Sequence, residues 1–489
     1  MRLLLAAVGI ALALAGPAGT AARAAVAIDP ASWTSYGFDN QLTNAITSKS
    51  LTPRTVPGLR LGWSTQLDGA VYASPLAANV DGRRTVFAAT ESGNVYAVDA
   101  TDGQIAWQRN LGVVQTRECG QWGITSTGAI DPGRHLLYEI SADGLLHALD
   151  LSTGDEAPGF PVTLITNNLY EYVWGGLRIA GDHLYVVNAS YCDAGPPGGM
   201  FPEGRMFSVP LDDPDAFVIW DPVPGDDNLG GMWGWGGVSI DPDNGTVFTG
   251  VGNSYVFSDL CDCIVDNAGY GDSIVALSPD LSTVLDSNNP MLIPPTGDLD
   301  FGAAPLLFHP QACPTLAAMN NKDGAMYVWD RTQLSKGAIV RIPLGDSIAA
   351  FVGAPSWSES NQTIYVGESV IEQDGATGNG VTAWHVDKGC GFRPLWKELT
   401  GQGSQATPLV VGNVVFDGGG ETGGFYAFNG VKGSPLWNYP TDGRTVASMI
   451  SFSGSVYGAD TSGVLYAFDP PGRRGSCSPT CFPAYRQRP

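Results

Sequence analysis

Residues 93–107 read Gly93-Asn94-Val95-Tyr96-Ala97-Val98-Asp99-Ala100-Thr101-Asp102-Gly103-Gln104-Ile105-Ala106-Trp107. Val95 and Ala97 alternate with Tyr96 and Val98, the period of a strand. Both sets are apolar, so the strand is buried on both faces. Asp99 caps the following turn through the local backbone, and Gly103 supplies a positive φ. Trp107 is placed to pack on an adjacent unit. The pattern returns at Leu146-His147-Ala148-Leu149-Asp150 with Gly154, at Phe425-Tyr426-Ala427-Phe428-Asn429 with Gly433 and Trp437, and at Leu465-Tyr466-Ala467-Phe468-Asp469. Weaker copies stand at Phe207-Ser208-Val209, Val275-Ala276-Leu277, Tyr327-Val328-Trp329 and Thr382-Ala383-Trp384. Their central residues are 97, 148, 208, 276, 328, 383, 427 and 467, eight copies spaced by 40 to 68 residues.

A strand-type repeat of this length means a propeller with one four-stranded blade per copy. The expected fold is therefore all-β, an eight-bladed β-propeller over residues 25–470. Upstream strands fit the same blades, at residues 85–89 and 136–140. Residues 61–66 are expected to return to the last blade and close the ring. The long gaps near 156–203 and 209–270 read as insertions on one face, where function resides.

Composition agrees. The 489 residues allow about three domains at ~150 residues each, or one large β fold. The 64 glycines and 34 prolines are spread through the chain, and only 15% of residues are charged, which favours short strands and tight turns over helices. A 44% hydrophobic share is enough for a sizeable core. The net charge of −23 repels phosphate backbones and anionic lipid, so nucleic acid and a polybasic membrane anchor are excluded as partners.

Arg2, the apolar run 3–16 and the small-x-small site Ala22-Arg23-Ala24 form a secretory signal peptide over 1–24. The first cysteine is Cys119, too far along for lipid attachment, so the product is expected to be secreted or periplasmic. An even count of eight cysteines in an exported chain suggests disulfides, with on the order of a hundred possible pairings. Cys477 and Cys481 would close a small loop in a tail over 471–489. Cys261-Asp262-Cys263 lacks the second close pair that a metal site needs. No CxxCH occurs, so no covalent haem is expected. The five histidines, His135, His147, His183, His309 and His385, are scattered over separate repeats, with no HExxH spacing. No Gly-x-Ser-x-Gly suggests a hydrolase.

The Ala-x-Asp-x-x-x-Gly-x-x-x-Trp repeat resembles the tryptophan-docking repeat of quinoprotein dehydrogenases. The opening Trp33-Thr34-Ser35-Tyr36-Gly37-Phe38-Asp39 looks like the polyvinyl-alcohol dehydrogenase branch of that superfamily. The likeness spans residues 33–470. It implies an eight-bladed propeller holding pyrroloquinoline quinone and a calcium ion, an alcohol or polymer substrate, and an external electron acceptor.

The resemblance also carries site residues. In Trp233-Gly234-Trp235-Gly236-Gly237-Val238-Ser239-Ile240-Asp241-Pro242, counting back from Asp-Pro makes Trp235 the residue that stacks on the quinone. Gly252-Asn253 supplies a neutral oxygen ligand, which suits calcium. Leu299-Asp300-Phe301 keeps the family's catalytic base, Asp300, also a metal ligand, but not the preceding Trp. Gly302 stands where lanthanide-using relatives carry a second Asp, which favours calcium. Lys322 matches the cation that contacts the quinone oxygens.

Two departures stand beside these matches. The family's adjacent cysteines, which cover the quinone, are Glu118-Cys119 here, leaving Cys119 as the one cofactor-side cysteine. The family's Glu ligand has no clean counterpart. Asp193 is the preferred substitute and Glu203 the other candidate. The departures keep open a second class of function, a non-catalytic scaffold that binds protein or polymer on its loop face.

Overall fold

In the computed structural model the described residues are 32–192, 202–224, 229–258, 263–266, 269–290, 299–344, 353–368, 380–400, 403–420 and 423–472. The expected signal peptide over 1–24, Asp193, Cys261 and the expected tail with Cys477 and Cys481 lie outside them.

Eight blades follow one another around a ring, each built on four antiparallel strands, and the seventh gains a fifth, parallel strand from Ala45–Ile46. Blade 1 is Leu76–Val80, Arg83–Ala89, Asn94–Asp99 and Ile105–Asn110. Blades 2 to 7 repeat the plan over residues 129–163, 178–220, 239–288, 306–343, 356–399 and 409–439, and blade 8 takes Ile450–Phe452, Ser455–Ala459 and Val464–Asp469 from the C-terminal end. Its outer strand is Arg60–Gln66, paired antiparallel with Val464–Asp469. The closing strand expected from 61–66 is thus present, one residue longer. Each of the eight central repeat residues lies in the third strand of its blade. The described residues contain only three short 3-10 turns as helix.

The Trp and Gly of the repeat act between blades. Trp107 in the outer strand of blade 1 lies against Gly154 of blade 2, where a Cβ would stand 2.6 Å from Cε3. Its indole N–H donates to Leu151 O at 3.0 Å. Trp63 does the same to Gly103 and Ala100 O, and Trp396 to Gly433 and Gly430 O. Each docking needs a residue with no side chain and an αL backbone. Gly103, Gly154 and Gly433 have φ of 77°, 73° and 78°.

The first strand of each blade faces the axis, which would leave a row of strand edges unpaired. Residues 33–46 occupy that axis. Thr34 O accepts from Ile130 N at 2.8 Å, Asn40 O from Ile240 N at 2.7 Å, Gln41 O from Leu307 N at 2.9 Å, and Thr43 O from Trp357 N at 3.0 Å. Trp33 pairs with Ala77, and Ala45–Ile46 lies parallel to Leu409–Val411. Blade 3 joins through Arg178, whose guanidinium donates to Ser35 Oγ, Tyr36 O and Asp39 O at 2.8 to 2.9 Å. Blade 8 joins through Ser448, whose hydroxyl meets Tyr36 Oη at 3.1 Å. One short segment therefore ties together all eight blades.

Candidate active site

In an antiparallel blade, the loop entering the first strand and the loop leaving the second emerge at the same end. Tyr72, Trp174, Trp233, Trp235, Asp300, Gln405 and Arg444 all lie on loops that enter first strands. Ser190, Cys192, Asn253 and Lys322 follow second strands. These residues line one cavity of about 570 Å3 over the axis. That volume is in the ordinary range for small-molecule sites, roughly 300–1,000 Å3.

All four residues matched by resemblance in the two neighbouring blades, Trp235, Asn253, Asp300 and Lys322, meet in this cavity. Trp235 and Asn253 come from blade 4, Asp300 and Lys322 from blade 5. Trp235 is 9% exposed. Tyr36, Leu42, Ala304, Ala354 and Val446 pack with it in one cluster, so the axial segment supports the cavity floor.

Asp300 is the most heavily engaged group. Its Oδ1 lies 2.8 Å from Lys322 Nζ. Its Oδ2 accepts from Trp233 Nε1 at 2.9 Å and from Asn253 N at 3.3 Å. Lys322 Nζ also stands 4.5 Å from the centre of the Trp233 ring. Trp233 is a site residue that sequence reasoning missed. Only the fold shows that its indole binds the carboxylate and covers the ammonium. It also explains Gly302: a Cβ there would fall inside the van der Waals shell of Trp233 Cη2 and Cζ2, and 3.0 Å from Cζ3. A second aspartate at 302 has no room while Trp233 holds this position.

Cys119 does not line the cavity. It bonds Cys192, 73 residues later, and Cys192 is the half that reaches the wall. The expected direct contact from Cys119 is therefore replaced by one from its partner. Behind the disulfide, Tyr172 stacks on Tyr191 with ring centres 4.6 Å apart, and Trp122 and Trp174 meet Tyr172 edge-on or tilted. Trp174 and Tyr191 form an aromatic side of the cavity. A second described disulfide joins Cys313 and Cys390 across blades 5 and 6.

The opposite side is polar. Arg444 Nε donates to Gly420 O at 2.9 Å, and Nη2 donates to Gln405 Oε1 at 3.0 Å. The nearby Tyr72 hydroxyl has a raised pKa, because burial outweighs the opposing field of Arg444.

A flat aromatic floor, two cations and this volume fit a planar quinone. The fit to calcium is thinner. Glu203 pairs with Arg205, which also binds Glu171 at 2.8 Å, and Glu203 is not in the cavity lining. Among the described residues no group of three or more His, Cys, Asp or Glu side chains is assembled for a metal. Of the expected ligands, Asp300 and Asn253 are the ones that line the cavity among the described residues, whereas calcium takes six to eight oxygens.

Comparison with known proteins follows the same lines. A family described as outer membrane protein assembly factor BamB matches residues 59–194. Over 486 residues the chain is 26% identical to a polyvinylalcohol dehydrogenase from a Pseudomonas species, covering 88% of this chain and 71% of that protein. Quinohemoprotein alcohol dehydrogenase from Comamonas testosteroni superposes with a TM-score of 0.68 at 18% identity, over 91% of this chain and 81% of that one. A europium-containing methanol dehydrogenase superposes at 0.67 and 17% identity, over 90% and 98%. The architecture is that of the quinoprotein alcohol dehydrogenase propellers, and the sequence is similar to a polyvinylalcohol dehydrogenase.

Proposed function

We propose that this quinoprotein-type propeller is an exported dehydrogenase that oxidises an alcohol, using pyrroloquinoline quinone and calcium and passing electrons to an external acceptor. The observation that carries the proposal is the meeting of Asp300, Lys322, Asn253 and Trp235 in one cavity, from loops that no local chain geometry brings together. When bound, the quinone would supply the hydride acceptor and the metal a Lewis acid.

The chain's own residues do the rest. Trp235 offers an apolar plane that would hold the quinone ring. Asp300 takes the proton of the substrate hydroxyl. Lys322 and the indole N–H of Trp233 hold both carboxylate oxygens in place, so the base is oriented before substrate arrives. Asn253 would give the metal a neutral oxygen, with Asp193 as the proposed carboxylate ligand. Trp174 and Tyr191 give one side of the cavity an apolar aromatic surface.

The test is reconstitution of the purified chain with quinone and Ca2+, followed by absorbance of the bound cofactor and dye-coupled alcohol oxidation. Asp300→Asn should leave the fold and lower turnover by about 100- to 10,000-fold, the range for loss of a general base. Undiminished turnover in that variant would end the assignment of Asp300 as the base. A second reading, a non-catalytic scaffold, draws on the match of residues 59–194 to a family described as an assembly factor. Absence of quinone binding by the intact chain would favour it.

A further inference from the structure

The two cations of the cavity are not equivalent. Lys322 is spoken for by Asp300 at 2.8 Å. Arg444 meets only neutral acceptors, Gly420 O and Gln405 Oε1, and no carboxylate partner among the described residues. The chain carries 48 acidic residues against 25 basic ones, so an arginine facing a cavity without an acid beside it is a departure from its surroundings. It is also held firmly. Arg444 N donates to Thr461 Oγ1 and Thr461 N to Arg444 O, both at 2.9 Å, which fixes the backbone to blade 8. Gln405, from blade 7, then sets the guanidinium plane. With Nε and one Nη2 hydrogen engaged, the Nη1 and second Nη2 hydrogens remain as a fork, the geometry that receives a carboxylate end-on.

We infer that Arg444, positioned by Gln405, is the carboxylate-binding end of this cavity, and that the molecule it receives reaches from there toward Asp300. The inference rests on the proposed use of the cavity. Arg444 and Asp300 lie on different loops, before the first strands of blades 8 and 5, and both line the one cavity. A ligand that fills it would therefore have its reacting group at one wall and an anionic group at another. The carboxylate belongs either to the quinone, which is a tricarboxylic acid, or to the alcohol substrate.

The experiment is isothermal titration calorimetry on the purified chain and on Arg444→Gln, with circular dichroism melting to verify the fold. Arg444→Lys keeps the charge but removes the fork, and should fall between the two. The probes are pyrroloquinoline quinone, its trimethyl ester, 6-hydroxyhexanoate and 1,6-hexanediol. If the quinone supplies the carboxylate, Arg444→Gln weakens quinone binding by about 10- to 100-fold and leaves the ester unchanged, the effect of losing one charge-assisted pair. If the substrate supplies it, quinone binding is unchanged and the preference for the hydroxy acid over the diol is lost by a similar factor. Unchanged binding of both quinone and hydroxy acid overturns the inference while leaving the quinoprotein reading intact. Failure of the intact chain to bind any quinone overturns that reading instead. The hydroxy acid and diol then decide alone, and absence of an Arg444-dependent preference for the acid ends the inference too.

Discussion

Trp233 and Gly302 should be energetically coupled, and the coupling can be worked from the contacts. Gly302→Ala adds one methyl group. Gly302 does not have a left-handed φ, so the backbone accepts alanine. The three nearest atoms to the new Cβ all belong to the Trp233 ring. That ring must shift, yet it is held by its hydrogen bond to Asp300 at 2.9 Å and by Lys322 at 4.5 Å from its centre. A hydrogen bond to a charged group contributes about 1.5–3 kcal/mol. A partly buried cation–π contact adds ~0.5–2 kcal/mol. Part of each survives a small tilt, so Gly302→Ala should cost about 2–3 kcal/mol, inside the usual range for overpacking. In a Trp233→Leu background the obstacle is gone. The same substitution should there be near neutral, or stabilise by a few tenths of a kcal/mol through the unfolded state. Urea unfolding of the four proteins gives the coupling energy directly, expected at roughly 2–3 kcal/mol. Equal costs of Gly302→Ala in the two backgrounds would refute the view that Trp233 is clamped over Asp300.

Two further outcomes follow from groups away from the cavity. Glu139, in the second strand of blade 2, is fully buried, and burial pushes its carboxyl well above the usual carboxylate range, with only a backbone bond from Gly128 opposing. A carboxyl with a raised folded pKa holds its proton more tightly folded than unfolded. Its contribution is fully present below the unfolded value of about 4.3, falls as pH rises through the folded value, and is gone above it. Glu139→Gln should therefore gain stability relative to the native chain as pH rises from 4 toward neutrality. A constant difference across that range in thermal melts would contradict the buried-acid picture. Arg178 is fully buried, and burial lowers its pKa to about 10. Arg178→Met leaves Tyr36 O, Asp39 O and Ser35 Oγ without its donors. At ~1–3 kcal/mol per stranded group, partly relaxed, it should lose about 3–5 kcal/mol in denaturant unfolding. A loss under ~1 kcal/mol would mean that the axial segment does not depend on this link.

The blades were readable because each repeats one local solution. Ala97, Ala427 and Ala467 must be small, since each faces Trp107, Trp437 and Trp63 across the pair of outer strands. A Gly four residues past the Asp or Asn is needed by the incoming Trp. Such local demands leave a period in the sequence. Trp235, Asn253, Asp300 and Lys322 were readable only through resemblance, as isolated positions in four loops. Arg444, Gln405, Tyr72 and Trp174 carry no shared motif. Their placement is set by the angle between blades, which no short spacing records. The pairing of Cys119 with Cys192 was equally hidden, because it joins a hairpin after blade 1 to a loop in blade 3. The role of Trp33 to Asp39 was hidden for a different reason. Residues 33–46 act through main-chain carbonyls, which every sequence has.

That axial segment sets the order in which the molecule can be completed. Residues 33–46 and the closing strand Arg60–Gln66 come early in the sequence, and their partners extend to Val464–Asp469. The carbonyls of the segment gain their donors only as successive first strands arrive, and the ring shuts only when blade 8 exists. Loop-closure entropy is spent before these long-range contacts reward it. Closing the ring thus draws on both ends of the propeller sequence, and a break within residues 33–46 should be felt in every blade at once.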